Sequence, residues 1–529
     1  MATTTRPAPA EQTGAPAAAM SHREILEALS GLLLGMFVTV LASTVVANAL
    51  PRIISDLHAS ESAYTWVVTA TLLAMTATTP IWGKLADLTS KKTLIQLALV
   101  IFVVGSGLAG LAQNAGTLIA FRVVQGIGAG GLTALVQVIL AAMISPRDRG
   151  RYMGYVGAVF AIGTVAGPLV GGVLVDTSWL GWRWCFYVGV PFAVGALLLL
   201  QRTLHLPVVT RPVTVDYLGA VLSTAAVSLL LIWVSLAGHK FGWNSVWTWM
   251  MVPAAVLLGV LFVLAEQRAA EPIIPLRLFA DRTVALATVA SMFVGIGLFG
   301  STVFLSQYFQ ISRGASPTVS GLMSLPLIFG LVGSSTVVGQ LVSRYGAWKR
   351  YLVAGGVLLA AGFGLMGSMR AGTPYPLLAL YMAVLGAGLG MMMQNLVLAT
   401  QNVVATTDLG AASSTVVFFR TLGGAAGVSA LGALLGHRVA TYTAEGLAGI
   451  GIHSGVGSVG SELPDPAALP APVRAVVEGA FGHGIGDVFL AGAPFAVCAL
   501  LAVVFLEEVT LQTTSALQRD AESRAVAPA

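Results

Sequence analysis

The sequence predicts an all-α polytopic membrane protein with about fourteen transmembrane helices. Of its 529 residues, 56% are hydrophobic and only 9% are charged, whereas a soluble domain carries about a quarter charged residues. The mean hydropathy is +0.87, and apolar runs of about 20 residues, long enough to cross a bilayer, recur along the chain. This composition excludes a soluble enzyme, a disordered chain and a nucleic-acid-binding protein. The two cysteines, Cys185 and Cys498, are too few for a disulfide framework or a metal motif.

The chain begins and ends with polar segments that predict cytoplasmic tails. Residues 1–22 are rich in Ala, Pro and Thr and lack the apolar core of a signal peptide, so they predict a disordered tail. Fourteen apolar runs follow with mostly short connections, which makes neighbouring helices antiparallel. The predicted helices 1 to 14 cover residues 25–50, 62–83, 92–112, 116–144, 150–176, 181–201, 216–237, 245–266, 283–311, 316–342, 348–369, 375–402, 408–436 and 484–507.

The distribution of positive charge predicts the orientation. With the N-terminus in the cytoplasm, most of the 27 Lys and Arg residues fall in cytoplasmic segments, as the positive-inside rule requires. Both termini are therefore predicted to be cytoplasmic, including the tail 509–529. The long Gly-, Ala-, Pro- and Ser-rich connection 437–483 then becomes an extracellular loop.

A repeated segment links the two halves of the chain. Gly83-Lys-Leu-Ala-Asp87-Leu-Thr-Ser90-Lys91-Lys92 follows predicted helix 2, and Gly339-Gln-Leu-Val-Ser343-Arg-Tyr-Gly346-Ala-Trp-Lys349-Arg350 follows predicted helix 10. Two unrelated basic turns would account for the lysines and arginines but not for the shared Gly-x-Leu. Duplicated halves are typical of secondary transporters.

A second motif lies in predicted helix 5. Gly163, Gly167 and Gly171 recur every four residues and form a stripe that lets another helix approach closely. Pro168 removes a backbone hydrogen bond and permits a bend. Ordinary glycine packing explains one such pair, but not the full set Gly154, Gly163, Gly167, Pro168, Gly171 and Gly172.

These two motifs give the chain its family resemblance. The Gly83–Lys92 stretch resembles the signature loop of the major facilitator superfamily, with Ser90 where that family prefers glycine, and the helix 5 string resembles the antiporter motif of its drug exporters. The whole chain is similar to the fourteen-helix drug:proton antiporter branch. The resemblance implies a major facilitator fold with two six-helix bundles, 23–204 and 271–508, and two additional transmembrane helices in 205–270.

The resemblance also implies a function. It predicts a proton-coupled efflux transporter of the cytoplasmic membrane that exports lipophilic drugs, antibiotics or secondary metabolites by alternating access. The expected partners are the lipophilic substrate, protons and membrane lipids, with no nucleic acid, no cofactor and a monomeric state. The sequence holds no cluster of His, acids or nucleophile with base, so no enzyme is predicted.

Polar residues within the apolar runs are candidate functional residues because intramembrane charge is costly. Arg122 and Arg420 are proton-coupling or structural candidates, and Asp87 and Asp487 are candidate carboxylates. Asp87, with Gly83, Lys91 and Lys92 in the signature loop, is able to cap a helix N-terminus or pair with a cation. Amides that suit a polar central cavity, or interhelical hydrogen bonds, are Asn48, Gln125, Gln137, Gln307, Gln310, Gln394 and Asn395.

One position departs from the branch. Many of its members carry an Asp in helix 1, where this chain has Ala42. The departure weakens selection of cationic drugs and leaves an alternative function open, a uniporter or importer of a small metabolite without proton antiport.

Overall fold

The prediction of an all-α membrane protein is confirmed. The computed structural model describes residues 21–57, 61–177, 180–206, 216–237, 241–450, 470–519 and 522, and its secondary structure there is helical apart from one isolated bridge between Ala237 and Phe241. Thirteen helical segments in these ranges are long and apolar enough to span a membrane. The threonine-rich helix Glu61–Leu88, with 28 residues, is also long enough to cross it and brings the number to fourteen.

The first bundle contains six spans, the last of which is broken. Val188 interrupts it because Pro191 has no N–H to donate to the carbonyl of Tyr187. Trp82, Phe102 and Leu135 lie in its buried core. Its helices are α1 (His22–Asp56), α2 (Glu61–Leu88), α3 (Lys91–Gly110), α4 (Ala115–Met143), α5 (Pro146–Asp176), α6 (Trp184–Tyr187) and α7 (Gly189–Thr203).

Two further helices connect the bundles, α8 (Tyr217–Leu236) and α9 (Val246–Glu266). Val227 of α8 shares a buried cluster with Phe418 and with Ile273 from the segment that follows α9; Leu73 of α2 packs against it. The additional pair therefore covers the line along which the two bundles meet.

The second bundle repeats the first in outline. A π-helical turn, Tyr308–Ser312, follows its first helix, and Ser324 breaks its second span just before Pro326. Phe363, Met382 and Phe489 lie in its core. Its helices are α10 (Arg282–Gln307), α11 (Pro317–Met323), α12 (Leu325–Tyr345), α13 (Lys349–Gly367), α14 (Tyr375–Val403), α15 (Leu409–Gly449) and α16 (Ala471–Val504).

Three sequence predictions need correction. The loop over 437–483 is shorter than predicted, since α15 continues to Gly449 and α16 begins at Ala471, while 451–469 and most of the tail 1–22 lie outside the described residues. Gly83 and Asp87 belong to the last turns of α2, not to a loop. Within the predicted tail 509–529, Thr510 and Gln512 bind Asn402 at the end of α14, so this part packs on the second bundle.

Glycines on α4 and α14 show the duplication at the level of packing. A Cβ on Gly126 or Gly130 would meet backbone oxygens of α2, and one on Gly128 would lie 2.5 Å from the backbone N of Phe102 in α3. In α14, Gly386 and Gly390 abut α12 in the same way, and Gly388 abuts α13 at Leu359. The Gly-x-Gly-x-Gly pattern thus lets the fourth span of each half pack closely against both the second and the third span.

Replacing Gly388 by Leu is expected to abolish folding, because a Cβ there would sit 2.7 Å from the Cα of Leu359 and nothing at that contact can yield except backbone. We expect the monodisperse fraction in fluorescence-detected size exclusion to fall at least tenfold. Gly364→Leu in α13 is the matched control, since a Cβ at Gly364 meets nothing within 4 Å. Equal yields of the two variants would contradict this packing.

Candidate functional site at the bundle interface

The two bundles meet at one end of the molecule through glycines. We call this end, which holds Lys91, Lys92, Arg147, Lys349 and Arg350, the basic end. A Cβ on Gly83 of α2 would overlap Ser414 and lie 2.6 Å from the carbonyl oxygen of Gly410 in α15. On the other side of the interface, a Cβ on Gly339 of α12 would lie 2.5 Å from the carbonyl oxygen of Gly150 in α5. The two glycines of the sequence repeat therefore form equivalent contacts, and the basic end is closed.

Asp87 joins the bundles by capping a helix of the other bundle. Its Oδ1 accepts a hydrogen bond from the backbone N–H of Gly410 at 2.7 Å, and its Oδ2 accepts one from Ala411 at 2.8 Å. Both donors lie in the first turn of α15, where backbone N–H groups lack helical partners and the helix dipole favours a negative charge. Of the two uses open to Asp87 in the sequence, the structure shows the helix cap.

The remaining signature residues serve α3. Ser90 adopts an extended conformation, with φ −64°, and its side chain accepts a hydrogen bond from the N–H of Thr93 as the N-cap. Serine therefore suits this position without the conformational freedom of glycine. Lys91 begins α3, and Lys92 donates to the carbonyl of Gln201 at 2.7 Å.

Arg149 is a buried cation between the bundles. It is 4% exposed and donates to the carbonyl of Ile144 at the C-terminus of α4, at 3.1 Å, and to Oε1 of Gln401 in α14. Carbonyls at a helix C-terminus stabilise such a charge. Burial, together with nearby Arg519, lowers the pKa of Arg149 to about 9, so the guanidinium stays charged at neutral pH.

Amides from both bundles continue this contact toward the membrane centre. Nε2 of Gln137 in α4 donates to Oε1 of Gln394 in α14 at 3.3 Å, and Gln401 donates to the backbone carbonyl of Gln137 at 3.4 Å. Asn395 lines the same gap and donates to the carbonyl of Met391. Three of the predicted cavity amides, Gln137, Gln394 and Asn395, therefore come together at the interface.

A narrow cleft of about 20 Å³, room for little more than one water molecule, lies beside Gln394 and is shared by the two bundles. Met36 of α1 and Phe160 of α5 face Met393 of α14 across it, and Ser335 of α12 adds a hydroxyl. Its lining is mainly apolar, with Ser335 and Gln394 as its polar side chains.

The other predicted amides lie elsewhere. Gln125 donates to Ser106 inside the first bundle, at 2.6 Å. Gln310, in the π-helical turn, donates a hydrogen bond to the hydroxyl of Ser306. Oε1 of Gln307, just before this turn, is buried without a hydrogen-bond partner. The side chain of Asn48 lies outside the described residues.

Arg122 is held within the first bundle. It is 5% exposed, and it donates to the carbonyl of Val67 in α2 at 3.2 Å and to Oε1 of Gln125 at 2.5 Å. Its bond to Val67 connects α4 with α2, and Gln125, which binds Ser106 in turn, connects it with α3.

Arg420 and Asp487 lie in the second bundle. Arg420 donates to the carbonyl of Met393 at 3.2 Å, and its own backbone oxygen abuts Gly295 of α10. Asp487 of α16 accepts a hydrogen bond from the hydroxyl of Tyr442 at 2.7 Å and pairs with Arg438 at 3.4 Å, both in α15. None of these contacts crosses between the bundles.

The glycines of the α5 motif lie against two partners. A Cβ on Gly163 would be 2.9 Å from the side chain of Val40 in α1, and Gly167 abuts Thr44, whose hydroxyl donates to the carbonyl of Gly163 at 3.2 Å. Gly154 faces Thr336 of α12, in the other bundle. Gly171 is buried, a Cβ on Gly172 would lie 3.7 Å from the hydroxyl of Thr318, and the side chain of Pro168 lies outside the described residues.

The sequence does not single out two contacts of this interface. Arg149 is absent from the predicted residues, although Asp148-Arg-Gly150 and Asp408-Leu-Gly410 form an Asp-x-Gly repeat that marks the starts of α5 and α15. Lys84 of α2, 6% exposed, pairs with Glu271 at 2.5 Å, which ties the segment after α9 to the same end. No local pattern around Glu271 indicates this partner.

Comparisons with known proteins agree with this architecture. The family model described as Major Facilitator Superfamily matches residues 32–428. An uncharacterized MFS-type transporter of Mycobacterium tuberculosis (strain ATCC 25618 / H37Rv) is 37% identical over 96% of this chain and 73% of its own length. Multidrug transporter protein MdtP of Bacillus subtilis (strain 168) is 34% identical over 79% of this chain and 76% of its own. Efflux pump dotC of Dothistroma septosporum is 32% identical, covering 95% of this chain and 86% of its own.

Solved structures show the same fold at low sequence identity. The proton:xylose symporter XylE aligns with a TM-score of 0.62 and 14% identity over 94% of this chain and 99% of its own. The human organic anion transporter MFSD10 aligns with a TM-score of 0.58 and 15% identity over 90% of this chain and 100% of its own. The resemblance to this superfamily is therefore confirmed: the chain is a multi-pass membrane transporter and belongs to the major facilitator superfamily.

Proposed function

We propose that this protein is an efflux transporter that exports lipophilic small molecules in exchange for protons, by alternating access between its two bundles. The cleft shared by α1, α5, α12 and α14 is the observation that carries the proposal. With the basic end closed, the cleft is much smaller than a site that encloses a drug-sized ligand. Because both bundles line it, movement of one bundle against the other widens it and changes access to it. Relatives named as a multidrug transporter and as an efflux pump support export as the direction of transport.

The lining of the cleft favours uncharged or mildly anionic lipophilic substrates. Met36 and Met393 offer flexible, polarizable walls that adapt to different apolar shapes, and Gln394 and Ser335 offer hydrogen bonds that orient a ligand without demanding a charge. The lining residues, Met36, Val156, Gly157, Phe160, Leu331, Ser335, Gly390, Met393 and Gln394, include no carboxylate to select a cation.

We place the protein in the cytoplasmic membrane as a monomer surrounded by lipid, with its basic end and both termini in the cytoplasm. The support is electrostatic: Lys91, Lys92, Arg147, Lys349 and Arg350 gather at one end, and cytoplasmic loops carry an excess of Lys and Arg. In this orientation the conformation with a closed basic end is closed to the cytoplasm.

Asp87 and Asp487 are the side chains that bind and release the coupled proton in this proposal. The other two candidates, Arg122 and Arg420, are guanidinium groups that do not release protons in this pH range and that hold helices together within one bundle. Asp87 acts on the interface directly. Asp487 acts through Arg438 and Tyr442 of α15, the helix that Asp87 caps at its other end.

A uniporter or importer without proton antiport is the second candidate. The observation that favours it is Ala42, 5% exposed on α1, at a position where many drug:proton antiporters of this branch carry an Asp. The same cleft would then serve downhill transport of a neutral metabolite.

Inside-out vesicles with an acidic interior separate the two functions. We expect uptake of a neutral lipophilic probe that is collapsed by a protonophore, and loss of this gradient dependence in Asp87→Asn or Asp487→Asn. Glu507→Gln is the control, because Glu507 is 72% exposed at its side chain beside Arg282. Uptake that ignores the gradient while counterflow exchange persists would replace export by the uniporter.

A further inference from the structure

The segment after α16 returns along the basic end and is anchored there. Oε1 of Glu508 accepts hydrogen bonds from the backbone N–H groups of Trp348, at 2.9 Å, and Lys349, at 3.3 Å, so it caps the N-terminus of α13. The indole N–H of Trp348 donates to the carbonyl of Val509 at 2.8 Å. Leu511 is buried in the core of the second bundle. We call residues 506–519 the strap.

Asn402, at the end of α14, binds the strap through both the NH₂ group and the oxygen of its side-chain amide. Its Nδ2 donates to the carbonyl of Thr510 at 3.1 Å, and its Oδ1 accepts from the N–H of Gln512 at 2.9 Å. The side chain of Gln512 in turn donates to the backbone carbonyl of Asn402 at 2.9 Å. Asn402 is 1% exposed, so these bonds form away from competing water.

Beyond Asn402 the strap reaches the other bundle. The carbonyl of Gln512 accepts a hydrogen bond from the backbone N–H of Arg147 at 3.3 Å. This N–H lies in the first turn of α5 and has no partner inside its helix. Gln401, the neighbour of Asn402, binds Arg149 of the same turn. The strap and the Arg149 contact therefore tie the same two helix ends together.

We propose that the strap is a latch that stabilises the conformation whose basic end is closed. Separation of the bundles at this end must break the Gln512–Arg147 bond and withdraw the cap from α5, while Asn402 and Trp348 keep the strap on the second bundle. The strap thus sets the balance between closed and open basic ends, and it does so whatever the transported substrate is.

Cysteine accessibility tests the latch without a substrate. Ser414, fully buried against Gly83 at the interface, becomes the reporter as Ser414→Cys in a chain with Cys185→Ala and Cys498→Ala, labelled by a membrane-permeant maleimide. We expect Asn402→Ala and Gln512→Ala each to raise the labelling rate at least fivefold. Thr513→Ala, at an exposed strap position, should leave the rate unchanged. Rates equal to the parent in both Asn402→Ala and Gln512→Ala would overturn the proposal.

A disulfide supplies the opposite test. The pair Arg147→Cys and Gln512→Cys is expected to cross-link on oxidation, since the backbone hydrogen bond keeps these residues adjacent, and to slow labelling at position 414 until a reductant is added. Labelling that continues at the uncross-linked rate in the oxidised protein would show that the basic end opens without release of the strap. Because both tests measure labelling and not transport, failure of the export assay would neither support nor weaken the latch.

Discussion

Asp87→Asn is expected to shift the protein toward conformations with an open basic end. The amide oxygen of asparagine still accepts a hydrogen bond from Gly410 or Ala411. Its NH₂ group, a donor, then faces the other backbone N–H, which loses its acceptor. The negative charge at the N-terminus of α15 is also lost. Loss of a charge at a helix terminus in a partly buried geometry costs up to about 2 kcal/mol. That corresponds to roughly a 30-fold change in the closed-to-open ratio.

The same reporter, Ser414→Cys, measures this shift. Asp281→Asn is a matched control, because Asp281 also accepts two backbone N–H bonds, at 2.7 and 3.2 Å, but from Thr283 and Val284 of its own helix α10. Both variants lose a helix cap, and only Asp87→Asn loses a contact between bundles. If Asp281→Asn raised the labelling rate as much, the effect would reflect general loosening rather than the interface.

The helices could be predicted from the sequence, and most of the contacts between bundles could not. Lipid requires long apolar runs whose backbone groups are satisfied within each helix, so composition alone locates them. The partners of Asp87 are backbone N–H groups more than 300 positions away, and backbone groups carry no sequence signature. The strap escapes prediction for the same reason, since its anchors at Thr510 and Gln512 include main-chain atoms.

The candidate amides illustrate the limit of reasoning from helical faces. Gln137 and Gln394 lie on different bundles and meet because α4 and α14, the equivalent spans of the two halves, face each other. Gln125 lies on α4 too, yet it points toward α3 and binds Ser106. Periodicity groups the residues of one helix by face, but only the packing of the bundles decides which face meets the cleft.

The contacts at the basic end together define one closed state. Gly83 and Asp87 secure α2 against α15, and Gly150 and Gly339 secure α5 against α12. Close glycine contacts of this kind depend on shape and tolerate no added atoms, whereas the polar contacts of Asp87 and Arg149 can re-form after opening. A transporter that must close and reopen this end repeatedly needs both.

Gly339→Val is expected to abolish transport without preventing folding. A Cβ at this position would lie 2.5 Å from the carbonyl oxygen of Gly150 and 3.0 Å from its Cα, so the side chain fits only if α12 and α5 separate. Since this contact joins the two bundles and not helices of one bundle, each bundle retains its core, in contrast to Gly388→Leu. We expect transport to fall at least tenfold while the monodisperse yield stays within twofold of the parent.

Gly333→Val is the control for this variant, because it places the same side chain on α12 at a position with nothing within 4 Å. Gly339→Val should also raise labelling of Ser414→Cys, on the far side of the interface, since the two glycine contacts close together. A variant that folds, transports normally and labels slowly would show that the basic end closes without the Gly150–Gly339 contact. This glycine pair would then not be needed to close the basic end.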